Sequence, residues 1–141
     1  MSTNDKILFV CLHGAAKSVL AAADFRRMAA QRGLGVTADS AGTEPDPAIA
    51  PGVLRTLLAE GLDLKGQQPR KVTPQDVATA SRVVAFGCDL GEAASPATRI
   101  EQWTDVPAVS DDLPAARAVI RRHLERLVEE CAQSTGRRAT P

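Results

Sequence analysis

Cys11, Lys17 and Ser18 stand close together near the start of the chain, in the stretch KILFVCLHGAAKS. An apolar run, Ile7-Leu8-Phe9-Val10, leads into the cysteine. A turn of small residues and an Ala-rich segment follow. The pattern reads as strand, loop and helix N-terminus, with a thiol at the carboxyl end of the strand. Open parallel sheets hold their ligands at that end. The loop His13-Gly14-Ala15-Ala16 carries little side-chain bulk. Its backbone N–H groups can turn inward around an anion, and the helix adds its positive dipole end. The candidate anion-binding stretch is therefore Leu12, His13, Gly14, Ala15, Ala16, Lys17 and Ser18. The same field favours thiolate over thiol, which makes Cys11 a candidate nucleophile. The competing readings are a buried core cysteine, a Lys17 pointing to solvent and an ordinary first-turn Ser18.

The motif C-x5-K-S after a buried strand, with Asp39-Ser40-Ala41-Gly42-Thr43 further on, resembles the low-molecular-weight protein tyrosine phosphatase and arsenate reductase superfamily. The loop of that family reads C-x5-R-S/T. This chain has Lys17 in place of the arginine. It has Gly14 where members often carry asparagine, and both residues tolerate positive φ. An arginine grips phosphate with two parallel N–H bonds, whereas a lysine supplies one movable charge. Losing one well-placed donor in such a site typically costs ~10²–10³ in rate. Anion binding is expected to survive the change and turnover to fall.

The resemblance implies further roles. Ser18 donates to the Cys11 thiolate. Ser40, in the turn beneath the loop, hydrogen-bonds into it. The family's general acid is an aspartate, usually in an Asp-Pro pair, between a tryptophan-containing stretch and the last helix. Here that stretch is Trp103-Thr104-Asp105-Val106-Pro107-Ala108-Val109-Ser110-Asp111-Asp112, without Asp-Pro. Asp105 is the nearest candidate. On another count Ala108 takes the place and the acid is missing, leaving Asp105 an ordinary loop residue. Asp111 and Asp112 read as cap or first-turn residues of the last helix. Cys88 stands where arsenate reductases of this superfamily place a resolving cysteine, a candidate redox partner for Cys11. The further cysteine expected a few residues later is absent from Ala93-Ala94-Ser95-Pro96. Cys131 reads as core. His13 is either a donor into the loop or an outward-facing residue, and His123 reads as solvated.

Phosphotyrosine-specific members line the entrance with aromatic rings. The corresponding segment here is Glu44-Pro45-Asp46-Pro47, and the chain contains three Phe, one Trp and no Tyr. A flat aryl phosphate finds no ring to stack on. The expected partner is phosphate, arsenate or another small oxyanion, or a non-aromatic phosphate, including one on a phosphorylated partner. Neither cofactor nor metal is implied. Three functions stay open: a cysteine-dependent phosphatase of weakened activity, a non-catalytic phosphate-binding protein, and an arsenate-reductase-like thiol enzyme.

The rest of the chain must position these groups. Its 141 residues suit one domain, expected over residues 1–133 with a polar tail at 134–141. Lys+Arg and Asp+Glu balance at 17 each, which gives no nucleic-acid footprint or polybasic anchor. No apolar run approaches a membrane span, and MSTNDK is not a signal peptide. Three widely spaced cysteines make neither a disulfide framework nor a zinc site, so a reduced, cytoplasmic setting is expected. Strands are expected at Lys6–Val10, Gly35–Asp39, Arg82–Phe86 and Thr98–Gln102. Helices are expected at Lys17–Gln31, from Pro51 to about Gly61, after the Thr73-Pro74-Gln75-Asp76 start signal, and at Asp112–Ala132. Alternating strands and helices predict a three-layer α/β sandwich. The resemblance makes its sheet parallel and four-stranded, in the order 2-1-3-4.

Overall fold

Residues 7–10 are apolar without interruption because both faces of their strand are covered. Ile7, Phe9 and Cys11 enter one apolar cluster with Leu20, Phe25, Ile120 and Leu124. Leu8 and Val10 enter a second cluster with Val72, Val77 and Leu90 on the other side. The period-two alternation of a strand thus feeds two separate cores. A computed structural model describes residues 5–139, and the side chains of residues 5–133.

The sheet has four parallel strands in the order β2-β1-β3-β4. These are β1 (Lys6–Cys11), β2 (Thr37–Gly42), β3 (Arg82–Ala85) and β4 (Ile100–Gln102). Helices α1 (Lys17–Gln31), α2 (Pro51–Ala59), α3 (Pro74–Thr79) and α4 (Leu113–Ala139) connect and flank them. This is the expected sandwich and strand order. Among the described residues, no helix is long and apolar enough to cross a membrane.

Several boundaries differ from expectation, each for a tertiary reason. Strand β2 runs through the predicted turn: Phe9 pairs with Ser40, Val10 with Ala41 and Cys11 with Gly42. A neighbouring strand decided this, not local turn chemistry. On α2, Val53 and Leu57 are buried, but Leu58 is exposed, so the buried face is narrower than the apolar pattern. Helix α3 begins as predicted, with Thr73 and Asp76 forming a reciprocal capping box. Asp112 caps α4 by accepting from the Ala115 amide at 3.0 Å. Helix α4 continues past the expected end at Ala132, through much of the expected tail at 134–141. The last two residues of that tail lie outside the described residues.

A buried charge cluster ties three helices together. Asp24 on α1 and Arg117 on α4 are almost fully buried. Arg117 bonds Asp24 through Nε and Nη2 at 3.0 and 2.8 Å, and also grips Glu60 just past α2. Arg121 and Arg27 add bonds to Asp24. Removing Asp24 from water pushes its carboxyl up, but the bonds from Arg117 and Arg121 outweigh this and hold it below its ordinary value. No local pattern signals this cluster, because residues so far apart in the chain meet only once α1 packs on α4.

Candidate functional site

Strand β1 delivers Cys11 to the carboxyl edge of the sheet, and the chain turns at once into the loop 12–16. The thiol is 6% exposed. Its Sγ lies 3.1 Å from the Ser18 Oγ, which is wholly buried in the first turn of α1. Gly14 adopts a φ of 61°, in the left-handed region that favours glycine. The positive φ that the sequence motif allowed is present.

The hydrogen bonds of the loop are asymmetric. The carbonyls of Cys11, Leu12, His13 and Ala15 accept from the amides of Thr43, Glu44, Asp46 and Ala50 at 2.7–3.2 Å. A planar trans peptide points its N–H opposite to its C=O. The amides of residues 12, 13, 14 and 16 therefore point away from the 43–50 segment. Among the described residues, the N–H groups of residues 12–17 have no hydrogen-bond partner. Outward carbonyls are satisfied by protein and inward amides are left free, which suits an anion supplied from outside. Lys17 makes no ion pair with a described residue. Together with Cys11, Leu12, His13, Ala15 and Ala16 it lines a cavity of about 1390 Å³.

Support for the loop comes from an unexpected quarter. Ser40 makes no hydrogen bond to the loop among the described residues, contrary to the implied role. Gly42 supports the loop instead. Its N–H donates to Arg70 O and its C=O accepts from Val72 N, both at 2.9 Å. A Cβ on Gly42 would lie 2.6 Å from the Gly14 nitrogen. The signal was present in the Ser-Ala-Gly-Thr turn, but glycine there read as a turn former, not as a contact.

The acid assignment needs correction. Asp105 does not line the cavity; Ala108, Val109 and Ser110 form that wall. The Asp105 side chain is 60% exposed and bonds His123 Nε2 at 2.8 Å. The hydrogen bond from His123 holds its carboxyl below the ordinary range, the opposite of what a general acid requires. Ala108, which the alternative count puts in the acid's place, does line the cavity. His123 is not simply solvated: it stacks on Trp103 with centroids 4.5 Å apart. His13 stands half-exposed at the cavity, its Nδ1 3.3 Å from Asp46 Oδ1.

Cys88 follows β3 and lines the same cavity as Cys11. Its thiol contacts the Val10 carbonyl at 3.5 Å, and burial pushes its pKa up. Among the described residues no disulfide forms between the cysteines, and Cys131 is buried in the core as expected. Among the described residues, no cluster could hold a metal ion. Glu44, Asp46, Asp89, Glu92 and Lys71 also border the cavity, and so does Phe86, an aromatic residue where the entrance was expected to have none.

Fold and loop together define an α/β protein of the phosphotyrosine-phosphatase type, with a thiol at the head of an amide-rich cup. The chain belongs to the low molecular weight phosphotyrosine protein phosphatase family, whose model matches residues 6–105. It is similar to YfkJ from Bacillus subtilis, with 25% identity, a TM-score of 0.79, and coverage of 92% of this chain and 96% of that one. A thioredoxin-dependent arsenate reductase from Corynebacterium glutamicum gives 25% identity and a TM-score of 0.78, covering 94% of this chain and 64% of that one. An arsenate reductase from Archaeoglobus fulgidus gives 27% identity and a TM-score of 0.67, covering 89% of this chain and 98% of that one.

Proposed function

We propose that this chain is a Cys11-dependent, phosphatase-like protein acting on a non-aromatic phosphate ester or related small oxyanion. The observation that carries this reading is the seating of Cys11 against Ser18, beside loop amides without protein partners. The amides and the Lys17 ammonium hold the non-bridging oxygens. The Cys11 thiolate attacks phosphorus, an S–P bond forms and the ester P–O bond breaks. Water then cleaves the S–P bond, releasing phosphate and the thiolate. With Ala108 in the wall, the leaving oxygen takes its proton from solvent. Esters of more acidic alcohols should therefore react faster, and turnover should be slow overall. The cavity volume exceeds what a bare oxyanion needs, which supports a substrate with a substantial organic body.

Hydrolysis of p-nitrophenyl phosphate tests the reading. Wild type should turn over slowly and Cys11→Ser not at all. Activity unchanged in Cys11→Ser would remove the assignment. Phosphate binding without turnover, restored to catalysis by Lys17→Arg, would identify a binding protein instead.

One observation favours a second reading. Cys88 shares the cavity with Cys11. In arsenate reduction the Cys11 thiolate would displace water from arsenate to form an S–As(V) bond. Cys88 would then attack the Cys11 sulfur, forming a disulfide and releasing As(III) as arsenite. An external dithiol would restore both thiols. Arsenate-dependent thiol consumption that is lost in Cys88→Ser would select this chemistry.

A further inference from the structure

Asp105 and His123 are left without a task by the chemistry above, yet they hold the chain that becomes the cavity wall. The His123 ring on α4 lies over Trp103 at 4.5 Å with 13° between planes. Its Nε2 is 2.8 Å from Asp105 Oδ1. Trp103 is buried against Phe9 and Phe86, and its Nε1–H donates to Glu101 at 2.7 Å. The chain then passes through buried Val106 to Ala108, Val109 and Ser110 at the cavity. It enters α4 at the Asp112 cap. Between these anchors, the Ala108 carbonyl accepts from the amides of Asp111 and Asp112.

We propose that Asp105 is a positioning residue that, with His123 and Trp103, forms a clasp between this loop and α4 and so sets where Ala108–Ser110 stand over the anion cup. Its effect on binding rests on the oxyanion reading; the clasp itself does not. Its strength depends on the charge of the imidazole. A neutral ring offers Asp105 one N–H, whereas the imidazolium adds a charge facing both a carboxylate and an indole face. The neighbouring charged groups are Asp105 on the loop, Glu101 on β4, Arg122 and Arg126 on α4, and Arg82 on β3. Arg82 and Arg126 both pair with Glu101, and Arg122 acts on Asp105. The hydrogen bond from His123 holds the Asp105 carboxyl below its ordinary value, so it is charged at neutral pH. Protonating the imidazole therefore tightens the clasp.

Trp103 is the sole tryptophan and there is no tyrosine, so tryptophan emission from the full chain reports this stack directly. Lowering the pH from about 8 to about 5 should quench the emission in one step. His123→Phe, which keeps the stack without the charge, should abolish the step, and His13→Gln should retain it. Amide hydrogen exchange over residues 104–112 should speed up about fivefold in Asp105→Ala, the size of one ordinary hydrogen bond. Asp105→Asn, which keeps an acceptor, should recover most of that loss. Affinity for inorganic phosphate should follow the same order. An emission profile indifferent to His123→Phe, or exchange unchanged in Asp105→Ala, would overturn the clasp. Wild type that fails to bind phosphate would sink the oxyanion reading only, with emission and exchange still deciding the clasp.

Discussion

Gly14 and Gly42 meet backbone to backbone: a Cβ added to Gly14 would lie 2.8 Å from the Gly42 nitrogen, and one added to Gly42 only 2.6 Å from the Gly14 nitrogen. Backbone on both sides leaves no flexible side chain to yield. Gly42→Ala should therefore push the loop off β2. A cost of about 1–3 kcal/mol is expected, as for other overpacked sites. Thermal melting and phosphate affinity should both fall, whereas Gly33→Ala, strained by a φ of 67° but with open space around its Cβ position, should lower melting and leave phosphate affinity unchanged.

Ser18 is the next test. Among the described residues, its hydroxyl is the one side-chain group bonded to the Cys11 sulfur. Ser18→Ala removes a donor worth about 1 kcal/mol to the thiolate. Alkylation of Cys11 by iodoacetamide at neutral pH should slow severalfold, in a variant that melts close to wild type. An unchanged rate would mean that the hydroxyl does not act on the sulfur.

Lys17→Arg restores a forked donor at the mouth of α1. If the ammonium acts on the oxyanion, turnover of p-nitrophenyl phosphate should rise, by up to ~10²-fold on the scale of a lost oxyanion donor. Lys17→Ala should weaken phosphate binding and make it less sensitive to salt. Equal phosphate affinity in Lys17→Ala and wild type would place the lysine in solvent.

The Asp24–Arg117 pair predicts acid lability. The Asp24 carboxyl is held below its unfolded value, so its stabilisation is full above that value. It is lost as the pH falls through the depressed folded value. Urea midpoints should therefore drop below about pH 4. Arg117→Leu leaves Asp24 buried with fewer partners and should cost about 3–5 kcal/mol. The double variant with Asp24→Leu should recover much of that loss, since no lone charge then remains inside.

The chain itself carried the central strand, the small-residue loop and the cap signals. These depend on local rules: an unbroken apolar run for a strand covered on both faces, glycine where φ turns positive, Thr-Pro-x-Asp where a helix starts. Cys11, Ser18 and Lys17 could be marked because a strand-loop-helix unit brings them together within a few residues. Ser40 and Asp105 could not be placed the same way. Their roles required knowing which backbone passes beneath the loop and which helix faces residue 105.

The loop that follows Cys11 and the sheet that presents it are legible in the chain, because each is written in contiguous residues. That Gly42 supports the loop, that Ala108 rather than Asp105 faces the cavity, and that Asp24 meets Arg117 followed only from the folded chain. Each of these depends on packing between segments distant in the chain, where a contact is fixed by the shape of the whole core.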